Sequence, residues 1–594
     1  MCGIVGYTGY REAQTVILKA LKRLEYRGYD SCGVAILGKN INLFKDKVRV
    51  EVLQSRMPAF QGNTGIGHTR WATHGEPSFQ NAHPHVDCSG KIAVVHNGVI
   101  TNYQELKDQL ISEGHSFTSE TDTEVIPHLI EKYYLGDFES AVREAIKDLA
   151  GSYALAIISE YQPVLIVCKR GSPLVIGRGE GENIVASDIP AILDYTSRVI
   201  YLEDGEIALI TEREIRIEKN GFRISKPEAW IDWCVEDVDK GQFEHFMLKE
   251  IYEQPEIIQR VAEKIMQLQN PVLDFSHIRG SSAREMLIFA CGSSYHAGLV
   301  GKYLIEDLLN IPVRIELASE VNHRQNIIPA ATAVAITQSG ETADVLISMK
   351  RLKDAGSQVI AITNVKGSTA CRLASQTLLT EAGPELSVAA TKSFVAQILA
   401  LYQLVLTGFL KNQGLKAELI AELRLLPEKI RRILADHEYI KSCAYYLAQF
   451  NNVFFIGRGI NQPIALEGAL KLKEISYIHA EGFAAGELKH GPFSLLQEDT
   501  PVVAIVNRDF TREAMITNIK EVKSRKSPVI ALIRDDDPVM EKVAEFVIRV
   551  PATHYLLSPV VNTIALQLLA YYTARIRKCP IDFPRNLAKS VTVE

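Results

Sequence analysis

Apolar and polar positions follow two different rhythms along the chain. Up to about residue 225 the apolar runs are short, as in Ile92-Ala93-Val94-Val95, Ala154-Leu155-Ala156-Ile157-Ile158 and Val164-Leu165-Ile166-Val167-Cys168. Stretches rich in Gly, Pro and polar residues separate them, which predicts strands joined by turns. Helical spacing is expected at about 11–25, 102–112 and 123–149. Together these predict packed sheets flanked by helices over 1–225. A break follows at 226–270, where Trp230-Ile231-Asp232-Trp233 and the acidic Glu236-Asp237-Val238-Asp239 lead into a helix-like stretch at 243–253 and then Pro255. This reads as a linker and connecting helix.

Beyond residue 270 the order strand, loop, helix, strand repeats, and the segment repeats itself. Met286-Leu287-Ile288-Phe289-Ala290-Cys291-Gly292 resembles Asn452-Val453-Phe454-Phe455-Ile456-Gly457, with the glycines 165 positions apart. Ala333-Val334-Ala335-Ile336-Thr337 resembles Val502-Val503-Ala504-Ile505-Val506 at an offset of 169. Two similar offsets predict a duplicated doubly wound α/β domain, placed at 271–415 and 435–578. Pro580 and Pro584 then leave a tail at 579–594. The best membrane-span candidate, 393–410, is interrupted by Gln397 and Gln403, so a buried helix is expected.

Composition narrows the classes. The 594 residues are 47% apolar and 23% charged, which fits a soluble globular chain of about two to four domains. A net charge of −6 gives no sign of a nucleic-acid partner. Nine scattered cysteines without a CxxC pair fit a reducing cytoplasm. Met1-Cys2-Gly3-Ile4-Val5-Gly6 lacks the basic start of a signal peptide.

Cys2 is the first chemical candidate. Removal of Met1 would leave thiol and α-amine on one residue, and an amine of pKa about 8 is a serviceable general base for the thiol. A buried structural cysteine is the alternative. Acyl transfer also needs oxyanion donors, which the Asn97 amide and the Gly98 N–H would supply directly after the 92–95 strand. An amino-acid substrate needs its charged groups held. Arg70 suits a carboxylate and Asp122 an ammonium, against the alternatives of a surface salt bridge and a helix N-cap. A zinc set of His83, His85 and Cys88, completed by His74 or His96, matches no standard spacing. No metal is therefore expected, and the histidines are read as structural.

These features sit in CGIVG at 2–6, LEYRGYDS at 24–31, GHTRWATHGEP at 67–77, NAHPH at 81–85, HNG at 96–98 and TDTE at 121–124. The segment resembles the class II glutamine amidotransferases, members of the N-terminal nucleophile hydrolases. The resemblance implies an αββα sandwich and hydrolysis of glutamine to glutamate and ammonia. It also implies Cys2 as nucleophile, Asn97 and Gly98 as oxyanion hole, and Arg70, Trp71, Thr73, His74 and Asp122 around the glutamine.

In the second segment, Thr337-Gln338-Ser339-Gly340-Glu341-Thr342 joins a strand to a helix. Backbone N–H groups and hydroxyls at such a turn suit a phosphate, although Ser339 or Thr342 could simply cap the helix. Cys291-Gly292-Ser293-Ser294 ends the neighbouring strand in the same way. The duplicate has Val506-Asn507-Arg508-Asp509-Phe510 at this place, so one phosphate site per chain is expected. Gly457-Arg458-Gly459-Ile460-Asn461-Gln462 falls short of a dinucleotide fingerprint, and no cofactor is expected. On a helix, Glu467, Lys471 and Glu474 share one face, either as a solvated ion-pair face or, given the surrounding leucines, as buried chemistry. A lysine in a partly apolar pocket, such as Lys589 in the tail, can form a Schiff base with a ketone.

CGSSYHAG at 291–298, QSGET at 338–342, ALEGALKLKEISYIHAE at 465–481, GELKHGP at 486–492 and PRNLAKSVTVE at 584–594 resemble the two sugar isomerase (SIS) domains and tail of the glutamine–fructose-6-phosphate aminotransferase family. Thr337 and Ala390 stand where that family usually has serine. The resemblance implies conversion of fructose 6-phosphate and glutamine to glucosamine 6-phosphate and glutamate, the first step of amino-sugar synthesis. Ser294, Thr337, Gln338, Ser339, Thr342, Val388 and Lys471 would bind the sugar phosphate. His490 would open the ring, Lys589 form the imine and Glu474 move the proton. It further implies a homodimer and an internal ammonia passage with Trp71 at its glutaminase end. The rivals are a glutaminase serving another acceptor, a sugar-phosphate-sensing regulator, and an isomerase with a dead glutaminase.

Overall fold

The computed structural model describes residues 2–72, 74–268, 273, 285–408, 410–537 and 542–592. Met1, Thr73, Val593 and Glu594, all of which enter the expectations above, lie outside the described residues. The chain divides into two compact units, Met1–Asp239 with Ala588–Glu594, and Lys240–Leu587.

The first unit is an αββα sandwich. Among the described residues it holds an eight-stranded and a seven-stranded sheet, whose strand pairings are all antiparallel. Period-two alternation builds the layers. In the strand Ile92–Ile100, Ile92 and Val94 face the helices, while Ala93 and Val95 face the other sheet. Gly151–Ser159 divides in the same way, with Leu155 and Ile157 on the helix side and Ala154, Ala156 and Ile158 between the sheets.

Three local expectations change. The strand at 92–95 continues to Ile100, so His96, Asn97 and Gly98 lie in the strand rather than after it. Pairing with Gly151–Ser159 along the whole length holds it extended. The helix expected at 123–149 is two helices, Val125–Tyr133 and Phe138–Asp148. The second starts afresh at Asp137, whose carboxylate accepts the Ser140 N–H. Ala229–Trp230 still belongs to the eight-stranded sheet, paired with Arg198–Tyr201, beyond the end expected at 225.

In the second unit, Phe246–Tyr252 is followed at once by the helix Gln254–Gln267. Pro255 stands in its first turn, where a missing N–H costs nothing. Two parallel five-stranded sheets follow. In one, Met286–Ala290 lies between Val313–Leu317 and Thr332–Thr337, with Gln358–Thr363 and Gln376–Leu379 beyond. In the other, Asn452–Gly457 lies between His479–Ala484 and Val502–Val506, with Val529–Arg534 and Phe546–Val550 beyond. The order is the same in both, and each reverses direction beside its first strand, where doubly wound sheets bind ligands.

The helix Lys392–Thr407 is buried at all 16 positions, so the apolar stretch expected at 393–410 is a core helix. The helix long and apolar enough to cross a membrane by composition is instead Tyr555–Ile576, and its apolar window is wholly buried inside the protein.

Candidate active sites

In the first unit Cys2 stands just before the strand Gly3–Thr8, and the end of the paired strand Thr64–Arg70 brings Trp71 beside it. The Trp71 N–H donates to Cys2 Sγ at 3.3 Å, and the thiol donates to the Trp71 carbonyl at 3.5 Å. Burial pushes the thiol pKa up, while the Trp71 N–H and the Arg70 charge pull it down. Asn97 Nδ2 donates to the Cys2 carbonyl at 2.9 Å, and its Oδ1 accepts from His68 at 3.0 Å. Gly98 has φ +134°, and a Cβ there would lie 2.1 Å from the Ser152 carbonyl oxygen. Only glycine fits at that position.

Arg70 is not a surface ion pair. It is 3% exposed and donates through Nη2 to the carbonyls of His74 and Gly75. Its Nη1 is buried with no hydrogen-bond partner among the described residues. A buried guanidinium nitrogen left open costs free energy unless an anion completes it. Asp122 is not a helix cap either: its carboxylate accepts the Ile100 N–H at 2.8 Å, and the helix begins after Glu124. His83 stacks on His68 at 4.0 Å and meets His85 edge-on at 4.7 Å. Both are buried, whereas Cys88 is exposed, so the zinc set weighed from sequence is not assembled. Burial pushes His68 down to about 3 and His83 and His85 well below the ordinary range, so all three are neutral.

Sequence reasoning missed two supports. Arg27 donates to the Cys2 carbonyl at 3.3 Å and to Asp188 at 2.7 Å. His68 is the group that orients Asn97. Both lie inside the quoted motifs, but only the fold shows what they touch.

In the second unit, Thr337 ends its strand and its hydroxyl pairs with that of Thr342 at 2.9 Å. Thr342 occupies the N-cap position of Ala343–Asp354, yet no side chain caps that helix. Ser339 instead accepts the Glu341 N–H at 3.1 Å. The simple capping alternative therefore fails, and the helix N-terminus is not closed by its own side chains. Gly340 has φ +69°, with Ser368 Oγ only 2.1 Å from a notional Cβ. The Gln338 carbonyl accepts the Asn364 N–H at 3.1 Å, which ties the turn to the next strand. Ser294 lies in the first turn of Gly292–Leu309 and accepts from Gln397 at 3.0 Å. Val388 is buried and donates its N–H to the Asp582 carbonyl, so that N–H is spent on the fold.

The charged helix Gln462–Ser476 faces this corner. Glu467 is 2% exposed and accepts from Ser293 at 2.9 Å and from His296 at 2.8 Å. Lys471, 1% exposed, pairs with Glu474 and lies 3.5 Å from Glu467. Burial pulls the lysine pKa down, but the two carboxylates outweigh it and the net direction is up. The solvated-face alternative is thereby excluded. In the duplicate, Asn507, Ser558, Asn562 and Asn461 form a buried hydrogen-bonded cluster at the corresponding strand end. His490 is exposed. Lys589 is half-buried in the short segment that packs with the first unit, whereas Glu474 and the Thr337–Thr342 turn belong to the second. Glu250 and Glu385, missed from sequence, hold the loop before Lys392–Thr407 by accepting its backbone N–H groups.

An αββα sandwich with Cys2 just before its first strand, followed in the chain by two SIS-type parallel sheets, defines the class: a glutamine amidotransferase domain fused to a pair of SIS domains. A family profile described as "Glutamine amidotransferase domain" matches residues 68–194, and one described as "SIS domain" matches 281–407 and 446–577. The chain is 48% identical to the glutamine–fructose-6-phosphate aminotransferase (isomerizing) of Methanosarcina acetivorans and 48% identical to that of Caldanaerobacter subterraneus subsp. tengcongensis. Each match covers 100% of both chains. The solved C-terminal domain of the aminotransferase from Francisella tularensis is 36% identical, with TM-score 0.55, covering 58% of this chain and 99% of that one. The chain therefore belongs to the glutamine–fructose-6-phosphate aminotransferase (isomerizing) family.

Proposed function

We propose that this chain converts fructose 6-phosphate and glutamine to glucosamine 6-phosphate and glutamate. The observation that carries the reading is the full-length match, because either half alone would fit several acceptors. Cys2 Sγ attacks the glutamine amide, with Asn97 and Gly98 stabilising the oxyanion. Arg70 Nη1 and Asp122 hold the α-carboxylate and α-ammonium, and Trp71, Thr73 and His74 complete the pocket. Ammonia leaves and water later releases glutamate. Ammonia in solvent at neutral pH would be protonated and lost, so it travels an internal passage that begins at Trp71.

In the second half-reaction the Thr337–Thr342 turn, Ser294, Val388 and Lys471 bind the sugar phosphate, and His490 assists ring opening. The Lys589 amine condenses with the C2 ketone, releasing water, and ammonia then displaces the lysine nitrogen. Glu474 moves a proton between C1 and C2, a step that needs a base and no metal. The exposed position of His490 supports its donation across a homodimer interface. Nine cysteines without a disulfide among them support a cytoplasmic setting.

Incubation with amide-labelled glutamine and fructose 6-phosphate, followed by mass spectrometry, tests this reading. Label in hexosamine phosphate is expected. Glutamate without labelled amino sugar would overturn the assignment of the acceptor.

A further inference from the structure

Four side chains that the glutaminase chemistry does not use converge at one edge of the sandwich. Cys88 follows the short strand His85–Val86, His115 follows the helix Tyr103–Ser112, and His128 and Glu131 are i and i+3 on the helix Val125–Tyr133. Cys88 Sγ lies 3.6 Å from His115 Nδ1 and 3.4 Å from His128 Nδ1. Glu131 Oε2 lies 3.0 Å from His115 Nδ1 and 3.4 Å from His128 Nδ1. All four ligand atoms fall within 4.8 Å of one another.

A tetrahedral zinc ion with ordinary bond lengths would set N···O edges of about 3.3 Å and S···N edges of about 3.6 Å. The four measured edges bracket those values. Hydrogen bonding accounts for the cluster less well. Each Nδ1 faces both the sulfur and the carboxylate, and a neutral imidazole carries one proton for the two. Glu131 Oε2 also accepts the Cys88 N–H at 3.2 Å, which fixes its orientation. Behind His128, Nε2 is buried 4.0 Å from the Glu124 carboxylate and makes no hydrogen bond among the described residues. Glu124 is itself held by Thr118 and Ser119.

We propose that Cys88, His115, His128 and Glu131 form a structural site for a borderline-soft divalent cation, zinc foremost. Four protein ligands close the tetrahedron and leave no position for substrate. Such an ion would clip together three segments, and the turn Ser119–Glu124 within that clip carries Asp122. The site is distinct from the Cys2 pocket and does not depend on the sugar chemistry.

The test is the zinc content of the purified full-length chain after zinc loading and desalting, with cobalt substitution as the spectroscopic probe. About one zinc per chain is expected, together with a thiolate-to-cobalt charge-transfer band. Cys88→Ser and Glu131→Gln should abolish both, whereas Cys2→Ala and Cys234→Ser should keep both. Cys88 is exposed, so its serine variant has no core packing to lose. Zinc no higher in the parent than in the Cys88→Ser variant would overturn the site. So would loss of zinc in Cys2→Ala with retention in Cys88→Ser, which would place the ion at the nucleophile.

Discussion

On the proposed mechanism, single side chains carry separable halves of one reaction. If Cys2 is the glutaminase nucleophile, Cys2→Ala should lower glutamine-dependent synthesis at least about 1000-fold while sparing synthesis from added ammonia. Unchanged glutamine-dependent product would refute the nucleophile. Lys589→Arg should abolish amino-sugar formation with either nitrogen source and leave glutamine hydrolysis measurable, since a guanidinium cannot form the imine. Normal product from that variant would remove the imine role. Arg70 is a third case. Its open, buried Nη1 calls for a carboxylate, so Arg70→Lys should raise the KM for glutamine at least about tenfold through loss of that donor and of the guanidinium's fixed geometry. Steady-state kinetics with glutamine read this directly. The motifs made these residues visible. Arg27 and His68 gave no such signal, because their work is done on backbone and amide atoms far away in sequence.

At the scale of elements, the site depends on how strands end. The turn proposed to bind the phosphate keeps the first N–H groups of Ala343–Asp354 uncapped because Thr342 turns its hydroxyl to Thr337. Gly340 permits this by its positive φ and by the absence of a Cβ against Ser368. Gly340→Ala should distort the turn at a cost of about 1–3 kcal/mol and raise the KM for fructose 6-phosphate, with glutaminase activity unchanged. An unaltered KM, measured with ammonia as the nitrogen source, would count against the turn as the phosphate site. Helix spacing alone left Glu467, Lys471 and Glu474 undecided between a wet face and a buried one. Packing decided it, since Glu467 is used by Ser293 and His296 of the neighbouring sheet's first helix.

For the whole molecule, the sandwich carries a pH dependence. His68 is held down at about 3, and His83 and His85 well below the ordinary range, by burial. In the unfolded chain each titrates near about 6.5. Above that value both states are neutral and the contribution to stability is fully present. As pH falls from about 6.5 toward 3, the unfolded state gains protons that the folded state cannot accept, and stability is lost. The urea midpoint for loss of glutaminase activity should therefore drop between about pH 7 and pH 5, and His83→Gln should flatten that slope. An equal slope in the variant would assign the acid sensitivity elsewhere. The sequence by itself determined packed sheets flanked by helices, the doubly wound pattern and its duplication, because alternation, offsets and short turns are local properties of the chain; the αββα sandwich and the roles of the motif residues came from the resemblance those motifs carry. Tertiary structure alone decided which groups meet. It turned His83 inward onto His68 and His85 edge-on to His83, gathered Cys88 with His115, His128 and Glu131, left Arg70 Nη1 open, and closed the duplicate's strand end with asparagines. Each of those outcomes depends on which distant backbones share a sheet or a helix face, and residue spacing does not encode that.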